Sequence, residues 1–116
     1  MQVRLKRAYE EPSKQDGTRV LVDRVWPRGL KKEDAHIDHW LRDIAPSTEL
    51  RKWFGHDPDK WSQFRQRYFR ELSRNHPAVD EIRHLADKGR VTLVFSARDE
   101  RHNNAVALKE YLQQSS

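Results

Sequence analysis

Two short polar segments carry most of the side chains that could do chemistry. The first, Asp23-Arg24-Val25-Trp26-Pro27-Arg28-Gly29, follows the apolar run Val20-Leu21-Val22. Arg24 and Arg28 could hold an anion with their planar, five-donor guanidinium groups, and Trp26 could stack on a ring or on an arginine. Asp23 ends an apolar strand, where a carboxylate can act in catalysis or bind a metal. In the structural alternative, Asp23 pairs with a nearby arginine and Trp26 packs beneath the Trp-Pro-Arg-Gly turn.

The second segment, Ser96 through Asn104, follows the apolar run Val91-Thr92-Leu93-Val94-Phe95 and leads into a helix. Unpaired N–H groups at a helix start attract anions. Arg98, Arg101 and His102 add donors or positive charge, and Asn103 and Asn104 are ligand-binding candidates. His102 could also serve as a general acid or base, since an imidazole titrates near neutrality. Alternatively, Asn103 or Asn104 is only a helix cap and His102 only a surface residue. His56 is a further candidate, because it precedes the cap pair Asp57-Pro58 and could face the same cleft. Asp57 itself reads as the cap.

Other signatures are missing. The P-loop, the dinucleotide fingerprint, the zincin motif and the nucleophile elbow are all absent. His36 and His39 have metal-pair spacing but no evident third ligand, so neither metal nor cofactor is expected.

The elements that position these segments follow from hydrophobic pattern. Gln2 to Arg7 alternates and predicts an edge strand; Val20–Val22 and Val91–Phe95 predict strands buried on both faces. Lys31 to Ala35 forms a short helical turn. Ile37 to Ile44 fits a helix or a strand. Ser47 caps a short helix through Trp53. From Asp57-Pro58 a long helix runs with Trp61, Phe64, Tyr68 and Leu72 on one face. Asn75-His76-Pro77 opens the next helix, which Gly89 caps, and a last helix buries Val106, Leu108, Tyr111 and Leu112. The expected fold is α/β: a small three-layer sandwich with a short parallel or mixed sheet of three to four strands and helices on both faces. The whole chain, 1–116, reads as one domain with residues 113–116 frayed. If the buried strands are parallel, both polar segments lie on the C-terminal rim of the sheet, where such folds bind ligands.

Composition narrows the classes. Of 116 residues, 35% are hydrophobic and 35% charged, so the core must be compact and the surface polar. Four Trp, four Phe and three Tyr argue against disorder. No apolar run approaches the ~20 residues of a membrane span, and the first residues carry no apolar signal region. With no cysteine, disulfide, thiolate and iron–sulfur chemistry are excluded, and a cytoplasmic location is expected. The net charge is +5, with 15 Arg among the basic residues, which suits a polyanionic partner. A basic solvated surface is the plainer account of that charge.

Several stretches carry a resemblance. Asp23 to Gly29, Ala45-Pro46-Ser47, Leu50 to Pro58, Asp99 to Asn104 and Leu108 to Leu112 resemble the YeaO-like family, a branch of the domain-of-unknown-function 488 family. The similarity runs from about Val3 to Leu112. It implies a small bacterial cytosolic α/β protein and supplies no reaction. Longer relatives carry a Cys near the last strand and another ahead of the last helix. The matching places here hold Phe95 and Asn103, so no thiol or metal chemistry carries over.

The leading expectation is therefore a protein that binds a phosphorylated or other anionic ligand on one rim. Arg24, Arg28, Arg98, Asn103 and Asn104 would hold it and Trp26 would stack. Asp23, His56 and His102 would act if hydrolysis or group transfer follows. One alternative is a nucleic-acid-binding module using the arginine-rich helix with Arg67, Arg70 and Arg74. Another is a protein-interaction domain with no small ligand. No membrane partner is expected, and the sequence sets no oligomeric state.

Overall fold

The computed structural model describes residues 2–114. Four parallel strands, β1 (Val3–Arg7), β2 (Thr18–Leu21), β3 (His39–Trp40) and β4 (Val91–Phe95), form one sheet in the order β1-β4-β2-β3. Strand β4 is central because all five of its residues are buried. It pairs Leu93 with Leu5 on one side and with Val20 on the other. Strand β1 is an edge, and its exposed Arg4 fits that place.

The period-two pattern divides the side chains between two faces. Val91, Leu93 and Phe95 join the larger core, with Val20 and Val22. The helices that cover this face are α2 (Thr48–Phe54), α3 (Trp61–Ser73), α4 (His76–Lys88) and α5 (Asn104–Gln114). Each supplies residues at helical spacing: Phe64, Tyr68 and Leu72 from α3, Val79, Ile82 and Ala86 from α4, and Leu108 and Leu112 from α5. On the opposite face, Leu21 and Val94 pack against Trp26, Leu30, Ile37 and Trp40. That cover comes from the stretch between β2 and the end of β3, whose only α-helix is the single turn α1 (Lys32–Ala35). No helix among the described residues is long and apolar enough to cross a membrane.

Local chemistry adjusts several predicted boundaries. The ambiguous stretch Ile37–Ile44 becomes the two-residue β3 followed by a 3-10 turn, Arg42–Ile44. This bend sends Trp40 to one core and Ile44 to the other. The Asp57-Pro58 start forms a 3-10 turn through Lys60, because the Asp57 carboxylate accepts from the nearby Asp59 N–H at 3.0 Å; α3 proper begins at Trp61. Gly89 follows α4 with extended rather than left-handed backbone, feeding directly toward β4. Gln113 and Gln114, expected to fray, lie in the last turn of α5, and Ser115 and Ser116 lie outside the described residues.

Candidate functional site

Because all four strands run in parallel, their C-terminal ends share one rim, and the two polar segments meet there. Asp23 joins them. Its Oδ2 accepts from the Ser96 N–H at 2.9 Å and the Ser96 hydroxyl at 2.8 Å. Its Oδ1 accepts from the Asn104 amide at 3.0 Å. The same amide donates to the Val22 carbonyl, and the Trp40 indole donates to the Asp23 carbonyl at 2.7 Å. Asp23 thus clamps the ends of β2 and β4 to the start of α5. Asn103 is buried and caps that helix, its Oδ1 accepting from the Val106 N–H at 3.0 Å while its amide donates to the Asp99 carbonyl.

Beside the clamp lies a cleft of about 130 Å³. Phe54 and Phe64, both buried and stacked with ring centres 4.3 Å apart, are among its apolar lining residues. Arg24, Arg51 and His56 border it. It opens into a shallow groove bordered by Arg7, Arg28, Arg51, Arg98 and His56, with no carboxylate among the groove's lining residues. Val25, Arg51, His56 and Ser96 belong to both concavities, so the two form one continuous surface.

The arginines differ in how they are held. Arg24 donates to the Ala45 and Pro46 carbonyls at 3.3–3.4 Å, and Arg7 donates to the Ala97 carbonyl at 2.9 Å. These two brace the rim loops. Arg28, Arg51 and Arg98 are exposed, and their guanidinium groups have no hydrogen-bond or ion-pair partner among the described residues. Close like charges with no acid between them create a strongly positive local potential.

The remaining candidates separate. Trp26 borders the groove, but its indole donates to the Leu30 carbonyl at 2.7 Å and its ring sits edge-on to Trp40. His56 stands at the junction of cleft and groove with φ +58°, left-handed backbone that is uncommon for a residue with a side chain. Its neighbour Gly55 has φ +53° and ends α2. His102 borders neither concavity. Its Nδ1 meets the Asp99 carboxylate at 2.8 Å, and its ring sits edge-on to Trp61. The His102 bond, then the Arg101 N–H, hold the Asp99 carboxyl below its usual pKa.

On α3, Arg65 is paired with Glu110 and Arg67 lies over the Trp53 ring at 4.1 Å, while Arg70 and Arg74 are exposed. Among the described residues, no group of three or more His, Asp or Glu is placed to hold a metal.

Sequence reasoning missed Arg51 and the Phe54–Phe64 pair. The usable signal was Leu50 and Phe54, four apart: they set the inward stripe of α2, with Arg51 on its flank.

A family model described as the inactive DUF488-N3 subclade matches residues 2–116. The uncharacterized protein YeaO of Escherichia coli (strain K12) is 39% identical over 112 residues, spanning 97% of each chain. An uncharacterized protein of Mycobacterium tuberculosis (strain CDC 1551 / Oshkosh) is 41% identical over 110 residues, spanning 95% of this chain and 92% of the relative. No solved structure matches.

Proposed function

The chain belongs to the inactive DUF488-N3 subclade, and from that membership we propose that it binds a phosphorylated or other anionic ligand at the C-terminal rim without transforming it. The observation that carries this proposal is the groove bordered by four arginines and His56 with no carboxylate. Arg28, Arg51 and Arg98 contact the anion, since they have no competing partner among the described residues. Arg24 braces the cleft wall through the Ala45 and Pro46 carbonyls.

A binding role fits the candidate catalytic groups better than hydrolysis or group transfer. Asp23 already accepts three hydrogen bonds, which occupy its carboxylate oxygens and leave little room to take a proton from a nucleophile. His102 sits away from both concavities. His56 stands at the junction of cleft and groove, with no hydrogen-bond or ion-pair partner among the described residues to orient it. The subclade's description as inactive supports the same choice. The bacterial relatives favour a bacterial setting, and a cytoplasmic one belongs to the same proposal.

Isothermal titration with inorganic phosphate tests it. Wild type binds; the Arg28→Ala/Arg51→Ala double variant folds with an unchanged melting temperature and loses binding. Equal affinity in a folded double variant would remove the rim from consideration. Binding of a short oligonucleotide that survives this pair but is lost on charge reversal at Arg67, Arg70 and Arg74 would move the site to α3.

A further inference from the structure

We infer that the ligand is an organic phosphate with a ring-sized, flat apolar body: the body fills the cleft and the phosphate lies on the arginine groove. This rests on the anion-binding proposal above and extends it to the uncharged half of the molecule.

Three observations point to such a body. The first is size and lining. The cleft, about 130 Å³, is lined by Phe54, Phe64, Val25, Ala45 and Ala97 among others. An apolar cavity of roughly 150 Å³ accommodates one benzene ring. The second is the polar inventory. Asp23, Ser96, Asn103 and Asn104 also border the cleft, but they direct hydrogen bonds at one another and at the backbone. Apart from Arg24, Arg51 and His56, few donors or acceptors of the cleft remain to match the several hydroxyl groups of a sugar, and an unmatched hydroxyl is costly to bury. The third is exposure. Tyr9 and Val25 are the exposed large hydrophobic residues of the described chain, at 45% and 57%. Both border the groove, and Val25 also borders the cleft. Exposed apolar residues gathered at one cationic concavity suit a ligand that is part apolar and part anionic.

The charge argues for phosphate over a single carboxylate. Four guanidinium groups border the groove, three of them without a partner among the described residues, and the three oxygens and higher charge of a phosphate can engage more of them than the two oxygens of a carboxylate. Arg51 borders both concavities, so ring and phosphate are near neighbours in the ligand. Phosphates joined directly to an aromatic ring have this chemistry; a nucleotide, whose ribose carries hydroxyls and separates the base from the phosphate, does not.

The test compares inorganic phosphate, phenyl phosphate, uridine monophosphate and glucose 6-phosphate by isothermal titration at one pH and salt concentration. Phenyl phosphate is expected to bind at least about tenfold more tightly than inorganic phosphate, a factor that burial of on the order of 55 Å² of ring surface supplies. Ala97→Leu, which narrows the cleft, should erase that preference and leave phosphate affinity intact. Should Ala97→Leu not fold, Val25→Ser at the exposed lip should reduce the same ratio. A tighter phenyl phosphate supports the inference; uridine monophosphate binding as tightly as phenyl phosphate or more tightly overturns it. Equal binding of all four compounds, or glucose 6-phosphate binding as tightly as the ring compounds, overturns it while leaving the anion site standing. Failure of every compound to bind overturns the anion site as well.

Discussion

The arginines of the rim are held in two ways, and single substitutions should tell them apart. Arg51 has no partner among the described residues, whereas Arg24 satisfies the Ala45 and Pro46 carbonyls. Arg51→Ala should weaken phosphate binding by about 1.5–3 kcal/mol, the range for a hydrogen bond to a charged group, with the melting temperature unchanged. Arg24→Ala should lower the melting temperature, because those part-buried carbonyls lose their donor. His56 offers a separate test. Its φ of +58° disfavours any side chain with a Cβ, so His56→Gly should raise stability by roughly 1 kcal/mol in a urea melt. The same change should weaken the anion if His56 contributes to holding it. The place of Arg24 and Arg28 on the rim was legible in the sequence because they sit in the rigid turn after an apolar strand. Arg51 was not, because it lies mid-helix among other charges and only the tertiary packing of α2 turns it to the rim.

Elements meet at two polar junctions that carry the architecture. Below the sheet, buried Asp16 accepts from buried Arg19 at 2.7 Å and from Lys6 and the Ser13 N–H. Burial alone would raise the Asp16 pKa, but the Ser13, Lys6 and Arg19 interactions outweigh it and hold the carboxyl below 3.8. A carboxyl with a lowered folded pKa contributes stability fully above its unfolded value and loses it as the pH falls below that value. Stability should therefore fall on acidification below about pH 4, and Asp16→Asn should flatten part of that acid limb. At neutral pH, Asp16→Asn should cost about 3–5 kcal/mol in urea denaturation, because it strands a buried guanidinium. Next to it, Gly17 has φ +66°, and a Cβ there would lie 2.3 Å from the Arg90 carbonyl oxygen. Gly17→Ala should accordingly fail to fold or lose most of its stability. Strands β2 and β4 and the buried face of α3 were plain from apolar runs and helical spacing. Strand β3 was not, since two residues carry no periodicity, and the onset of α3 was shifted by an Asx-type bond that spacing does not report.

The whole molecule is basic, yet its positive charge is unevenly placed. Interspersed acids explain much of the +5 surface, including the Arg65–Glu110 pair. The rim groove stands apart, with arginines delivered by β1, α2 and the loops after β2 and β4 and no acid among its lining residues. Sequence reasoning located this rim because parallel strands place their following loops on one edge. It did not foresee that Asp23 would bind the two loops together, since that requires β4 to pair directly beside β2, which brings the Ser96 and Asn104 donors in from a distant part of the sequence. The most direct test of the account is a titration of isotopically labelled protein with phenyl phosphate, followed by the backbone amide signals. The account predicts shifts confined to the rim: the loop after β2, the end of α2 through His56, and Ser96 to Asn104. Shifts centred on the outer face of α3 at Arg67, Arg70 and Arg74, with the rim signals unmoved, would contradict it.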